Sequence, residues 1–173
     1  LAGALLEDVF ESAFSEPALV AAFLLVTALL LTVSERLSTA NQSLSGLTVR
    51  DALTVGIAQA FAILPGISRS GSTIAAGLWR GLPRATAARF SFLLATPIIV
   101  GAGGKQALDV VTGDAIVGQD MALPMVAGFL SAALVGYACV WFLMRLLKER
   151  SLYGFAAYCA AFGTLSLLVA LLT

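Results

Sequence analysis

The chain has 173 residues, of which 60% are hydrophobic and 12% are charged, and its mean hydropathy is +0.97. Soluble domains carry roughly 25% charged residues, so this composition excludes an ordinary soluble domain and indicates a membrane protein. The formal net charge is zero and the chain contains no histidine. There is therefore no basis for nucleic-acid binding, and no histidine of this chain can act as a nucleophile, base or metal ligand.

Residues 1–16 are acidic and carry an apolar stripe at helical spacing, which predicts a helix lying at a membrane interface. The first residue is Leu, and no signal peptide is recognisable. We therefore expect a C-terminal portion of a longer protein, forming one transmembrane domain over residues 1–173.

Long uncharged runs predict the membrane-crossing helices. Residues 17–34, 121–144 and 151–173 contain no Asp, Glu, Lys or Arg. About 20 apolar residues are enough for a helix to cross a bilayer. The predicted long helices cover about 17–37, 83–110 with a kink at Pro97, 122–148 and 152–172.

Two shorter helices are predicted between the first two spans, over about 50–81. One begins near Thr48 and stops at Pro65-Gly66, and the other runs from about Gly71 to Gly81. With about 14 helical residues before Pro65, the first is about 21 Å long at 1.5 Å per residue, which is too short to cross a bilayer. The pattern predicts a re-entrant helix hairpin in an all-α, polytopic membrane fold.

The charged residues between the helices predict the orientation. Three connections are basic, through Arg36 and Arg50, through Arg80, Arg84 and Arg89, and through Arg145, Lys148 and Arg150. The connection with Asp109, Asp114 and Asp120 is acidic. Basic connections favour the cytoplasm. This orientation requires that the short hairpin enters and leaves on the same side.

Arg69 is the most unusual residue of the hairpin. No other charge occurs between Ala52 and Trp79, and a guanidinium at membrane depth is costly unless it has a function. Four hydroxyls and two glycines lie close to it in sequence: Ser68, Ser70, Ser72, Thr73, Gly66 and Gly71. A helix N-terminus with an arginine and hydroxyl donors is suited to bind phosphate.

Structural interpretations of the same residues remain open at this stage. Arg69 could form an ion pair with Asp51 or Glu35. The serines could bond their own backbone, and the glycines could serve helix packing.

The run Leu64-Pro65-Gly66-Ile67-Ser68-Arg69-Ser70-Gly71-Ser72-Thr73 closely resembles the second signature of the bacterial undecaprenyl-diphosphate phosphatases, the BacA/UppP family. The run Ala88-Arg89-Phe90-Ser91-Phe92-Leu93-Leu94-Ala95-Thr96-Pro97 looks like the family's next helix. The resemblance covers essentially the whole chain and places it in the C-terminal half of a fold with two inverted repeats.

The resemblance implies a multi-pass hydrolase of the bacterial plasma membrane whose active site opens outward. It would convert undecaprenyl diphosphate to undecaprenyl phosphate, which recycles the lipid carrier for peptidoglycan synthesis, cell-wall biogenesis and cell shape, and underlies bacitracin resistance. The implied partners are a prenyl diphosphate and membrane lipids, with a homodimer as an open expectation.

The resemblance also implies the roles of individual residues. Arg69, Ser68 and Thr73 would be catalytic, and Gly66, Ser70, Gly71 and Ser72 would line the substrate site. Mg²⁺ or Ca²⁺ is expected from the family, although the sequence shows no convincing metal ligands.

This chain departs from the family at its first signature, a Glu-rich motif running into Leu-Pro-x-Ser-Ser and a histidine. Glu7 and Glu11 have the Glu-x-x-x-Glu spacing, but nothing after them matches. We therefore expect the acidic and histidine half of the site to be absent from this chain. The alternative functions are a transporter or flippase for an anionic lipid or solute, since broken helices also serve transport, and a structural membrane subunit.

Overall fold

The computed structural model describes residues 16–112 and 121–172. Within these ranges the regular elements are all helical, which confirms the predicted all-α class. They are α1 (Pro17–Leu37), a 3₁₀ turn (Leu44–Gly46), α2 (Val49–Phe61), α3 (Arg69–Trp79), α4 (Arg84–Thr112), α5 (Ala122–Glu149) and α6 (Tyr153–Leu172). In the described part of the chain, four helices are long and apolar enough to cross a membrane: α1, α4, α5 from Leu123 onward, and α6.

The long helices begin and end close to their predicted limits, but the short pair differs. α2 ends at Phe61 rather than at Pro65, because the backbone turns tighter there and Ile63 and Leu64 donate to carbonyls only three residues back. α3 begins at Arg69 rather than Gly71, because the Ser68 hydroxyl caps the helix. Residues 62–68, which we call the elbow, join the two helices.

The chain divides into two compact units. The first contains the residues up to Ser91 together with those from Arg150 onward, and the second is Phe92–Glu149. The first unit therefore holds α1, the short hairpin, the start of α4 and α6. The second unit holds most of α4, which continues through Pro97 as one helix, and α5.

The helices of the first unit approach closely through small residues. A Cβ on Gly163 of α6 would lie 3.2 Å from the Ala21 carbonyl oxygen of α1. A Cβ on Gly77 of α3 would lie 2.9 Å from the Ala87 Cβ of α4. Small side chains at crossings let helix backbones approach in the absence of a strong hydrophobic drive, as in other membrane helix pairs.

Two buried carboxylates join the helix ends at one end of this unit. Glu35 Oε1 accepts from Arg84 Nε at 2.7 Å, and its Oε2 accepts from the Leu152 N–H at 3.3 Å. Asp51 pairs with Arg80. The end of α1 and the starts of α4 and α6 therefore meet, and α2 begins where α3 ends, as the predicted hairpin requires.

The described part of the second unit is apolar and exposed. No residue in the most hydrophobic stretch of α5 is buried within the protein. A helix that is apolar on every side needs a non-aqueous surrounding, as a membrane span has. The predicted acidic residues Asp114 and Asp120, like the interfacial helix with Glu7 and Glu11, lie outside the described residues.

Candidate anion-binding elbow

Gly66 sets the shape of the elbow. Its φ is +88°, a left-handed conformation that residues with a Cβ rarely adopt. A Cβ at this position would also lie 2.2 Å from the Val20 carbonyl oxygen of α1. Only glycine fits at this position, because the backbone of the elbow packs directly against the backbone of α1.

Thr27 of α1 is hydrogen-bonded to the backbone of the elbow. Its side chain is buried. Its Oγ1 accepts from the Ser68 N–H at 3.1 Å, and its single O–H is shared between the carbonyls of Gly66 at 3.3 Å and Phe23 at 3.2 Å. One hydroxyl therefore fixes the backbone on both sides of Ile67, directly before α3 begins.

The first turn of α3 leaves two backbone donors free. The Gly71 N–H donates to Ser68 Oγ at 3.1 Å, and the Ser72 N–H donates to the Ser68 carbonyl at 2.9 Å. The N–H groups of Arg69 and Ser70 have no partner among the described residues. Such donors, with the positive end of the helix dipole, favour an anion.

The Arg69 side chain extends from this same turn and is exposed. In the part of the chain that the structure describes, it makes no ion pair. Neither Asp51 nor Glu35, the two carboxylates considered as its partners, pairs with it, because Arg80 and Arg84 occupy them. The guanidinium is thus available to an outside anion.

The other predicted site residues divide between the exposed and buried sides of the turn. Ser70 is exposed beside Arg69, whereas Ser72 is buried. Thr73 is also buried, and its hydroxyl donates to the Arg69 carbonyl at 3.0 Å. It lies 2.6 Å from the hydroxyl of Ser91 on α4. Thr73 therefore supports the turn from inside rather than facing outward.

The two remaining predicted residues contribute to the shape of the turn. Ser68 is half-buried, and its oxygen acts as the helix cap. Gly71 lies in the first turn, where a Cβ would come within 3.0 Å of the Ser68 side chain. The structural interpretations are thus correct for these hydroxyl and packing contacts, and they leave Arg69 and Ser70 unexplained.

Sequence reasoning missed Thr27 and Ser91. Thr27 lies within the uncharged run 17–34, and a hydroxyl inside an apolar span could have suggested a polar contact between helices. Ser91 lies inside the second run that carried the family resemblance, but nothing in the sequence indicates Thr73 as its partner.

The carboxylates of the described residues are poorly suited to hold a metal ion. Within 16–112 and 121–172, no group of three or more His, Cys, Asp or Glu side chains comes together. Hydrogen bonds from the Thr48 backbone and hydroxyl, and then from Arg80, hold the pKa of Asp51 well below its ordinary value. Asp51 is an ionised capping residue engaged with its own neighbours, so we assign it no metal.

Comparison with known proteins places the chain in a family. Residues 1–165 match the family described as Bacitracin resistance protein BacA. A protein of Methanothermobacter thermautotrophicus named undecaprenyl-diphosphatase is 49% identical over 99% of this chain and 94% of its own length. Relatives with the same name from Methanosphaera stadtmanae and Halothermothrix orenii are 44% and 43% identical.

The chain spans 59% and 64% of the lengths of these last two relatives. In the same two comparisons, 96% and 97% of this chain is aligned to the relative. With four long apolar helices in its described ranges, the chain is an integral membrane protein. Because the family match extends from residue 1 to residue 165, and because the decapeptide 64–73 had indicated the same relationship, we conclude that the chain belongs to the BacA family.

Proposed function

We propose that this chain provides the phosphate-binding site of a membrane hydrolase that converts undecaprenyl diphosphate to undecaprenyl phosphate and phosphate. The name of its relatives supports the reaction. The observation that carries the proposal is Arg69, an exposed arginine without an ion pair among the described residues, at a helix start with two free N–H groups.

The geometry suits the terminal phosphate of a diphosphate. The guanidinium of Arg69 can donate two parallel hydrogen bonds to phosphate oxygens. The N–H groups of Arg69 and Ser70 can bind a third oxygen from the helix end. As water attacks the terminal phosphorus and the bond to the bridging oxygen breaks, the lipid monophosphate leaves. Fixed donors around the transferred group stabilise the charge of that transition state.

The remaining predicted residues have supporting roles in this proposal. Ser68 and Gly66 keep the turn in place, and Gly71 and Ser72 form its inner wall. Thr73 holds the carbonyl of Arg69, which keeps the first turn of α3 regular. We assign activation of the attacking water to none of the described residues, because Glu35 and Asp51 are both engaged by arginines.

Mg²⁺ or Ca²⁺ remains an expectation from the family. A divalent cation would neutralise diphosphate charge that one arginine cannot neutralise alone. The described residues form no donor set for it, so no step is assigned to the metal. A site opening outward from a bacterial plasma membrane, with lipid-carrier recycling as its outcome, is part of the same proposal.

The direct test is Arg69→Ala in the full-length protein, with phosphate release from a prenyl diphosphate as the measurement. Losing a main donor to the transferred group should lower kcat/KM by about 10²–10³-fold. Arg36→Ala is the matched control, because Arg36 is an exposed arginine in the last turn of α1 and should leave turnover near wild type. Equal activities of wild type and Arg69→Ala would reject the assignment.

A transporter is the rival class, since helix N-termini facing an anionic substrate also serve transport. The name of the relatives favours hydrolysis. Vesicles loaded with the prenyl diphosphate separate the two. Movement of the lipid between leaflets without release of phosphate would overturn the hydrolase proposal.

A further inference from the structure

We propose that Thr27 is a positioning residue for Arg69, an inference that rests on the proposed function. Thr27 lies on α1, outside the decapeptide that contains Arg69. It acts through the elbow backbone and not by touching the substrate. Its role is to hold the first turn of α3 in the orientation that directs the guanidinium and the two free N–H groups at one phosphate.

The hydrogen bonds of Thr27 fall at the point where the chain turns into α3. The Gly66 carbonyl and the Ser68 N–H flank Ile67, and both bond to the same Oγ1, at 3.3 Å and 3.1 Å. Ser68 is the cap of α3 and Arg69 is the first helical residue. A change in the backbone at residues 66–68 therefore shifts both the N–H donors and the root of the Arg69 side chain.

The methyl group of Thr27 supplies a second, separate contact. Its Cγ2 would lie 3.5 Å from a Cβ on Gly71, so it lies beside the first turn of α3. Thr27 itself is only 2% exposed. The hydroxyl of Thr27 is thus bonded to the backbone at the cap of α3, and the methyl lies beside the helical turn that follows.

Thr27 lies on a helix that packs against α6. One to two turns earlier on α1, the Ala21 carbonyl oxygen would lie 3.2 Å from a Cβ on Gly163 of α6, and a Cβ on Gly66 would lie 2.2 Å from the Val20 carbonyl oxygen. α1 is therefore held on one side by α6 while it holds the elbow on the other. Thr27, a buried residue 42 positions earlier in the sequence, therefore fixes the backbone from which the exposed Arg69 side chain extends.

Thr27→Val tests this role, since it removes the hydroxyl and keeps the branched shape. In the full-length protein we expect kcat/KM for the prenyl diphosphate to fall by about 10²-fold, the cost of a small misplacement of catalytic groups. Thr27→Ser keeps the hydroxyl and should stay within a few-fold of wild type. Thr32→Val is the matched control, because Thr32 lies on the same helix and, among the residues that the structure describes, its hydroxyl bonds only the Ala28 carbonyl, at 2.8 Å.

A double-mutant cycle distinguishes positioning from general stability. Arg69→Lys keeps the charge and loses the planar fork, so the orientation that Thr27 maintains should matter less. Thr27→Val should then cost at least several-fold less in the Arg69→Lys background than in wild type. A purely structural role would lower activity by the same factor in both backgrounds, and that result would overturn the inference.

Hydrogen–deuterium exchange gives a readout that does not depend on turnover. Thr27→Val should speed exchange in peptides covering residues 62–70 and leave those covering α6 unchanged. If wild type releases phosphate and Thr27→Val matches it, the positioning role fails while the proposed function stands. If wild type releases none, the proposed function fails as well.

Discussion

Gly66 and Arg69 lie three residues apart, but Gly66 packs against α1 whereas the Arg69 side chain is exposed. Gly66 is fixed by contact with the α1 backbone, at a positive φ of +88°. Arg69 is exposed and makes no ion pair among the described residues. A rigid glycine turn beside an available cation is what a preorganised anion site needs, since donors held in place need no reorganisation when charge develops.

Gly66→Ala should therefore disturb the elbow strongly. The new Cβ meets the Val20 carbonyl oxygen at 2.2 Å, and positive φ adds strain of about 1–3 kcal/mol. We expect a lower melting temperature in detergent and loss of most phosphate release. Both are measured on the purified protein, by thermal unfolding and by phosphate assay.

Gly56→Ala is the matched control for this change. Gly56 lies inside α2, and a Cβ there meets nothing within 4 Å. The replacement should be neutral or stabilise the helix by about 0.5–1 kcal/mol. A Gly66→Ala variant as stable and active as Gly56→Ala would show that the elbow tolerates a side chain, contrary to the described geometry.

At the level of elements, the α2–α3 hairpin is held at both of its ends by different chemistry. Thr27 holds the elbow by neutral hydrogen bonds. At the other end, Asp51 closes a capping box with Thr48 at the start of α2 and pairs with Arg80 after α3. The Asp51–Arg80 ion pair joins the start of α2 to the end of α3, and Arg69 lies at the opposite end of the hairpin, directly after the elbow.

The Asp51 contacts predict how stability depends on pH. The Thr48 hydrogen bonds and Arg80 lower the pKa of Asp51, so its contribution is present above the ordinary carboxyl range and is lost as pH falls through the lowered pKa. Asp51→Asn should therefore have a lower melting temperature than wild type, by a constant margin between about pH 5 and 8. The margin should shrink only in strong acid.

Thermal unfolding at several pH values checks this, with Glu149→Gln as the control for removing an exposed carboxylate at the end of α5. Glu149→Gln should follow wild type at every pH. A margin for Asp51→Asn that changed between pH 5 and 8 would contradict a carboxyl group ionised throughout that range.

For the whole molecule, the charges predict which connections face the cytoplasm. Arg80 and Arg84 pair with buried carboxylates, while the exposed Arg36 and Arg50 make no ion pair among the described residues. Arg80 and Arg84 thus stabilise the fold as well as contributing to membrane orientation. Arg36 and Arg50 contribute to orientation through their positive charge.

Reporter fusions in a bacterial host test this orientation. A cytoplasm-active fluorescent reporter joined after Arg150 should be bright, and an export-dependent phosphatase joined there should be inactive. Joined within residues 113–120, the two reporters should give the reverse. The same result at both positions would reject the predicted topology.

Much of the fold could be predicted because it depends on local chemistry. Hydropathy and length identified the four long helices, since about 20 apolar residues determine a span without reference to neighbours. The start of α2 was predicted at Thr48 from its pattern, and the capping box is local. The predicted end of α2 and start of α3 were wrong by a few residues, because tighter turns follow Phe61 and the Ser68 hydroxyl caps α3. The contacts that hold this elbow against α1 could not be predicted.

The sequence by itself determined the membrane class, the helices, the family and the cluster of phosphate-binding residue types around Arg69. Only the tertiary structure decided which distant residues contact each other, such as Glu35 and Leu152, which are 117 positions apart. It also showed that Arg80 and Arg84 take the buried carboxylates, and that Thr27 holds the elbow. These pairings depend on how distant helices pack, and composition and spacing along one chain carry no information about that packing.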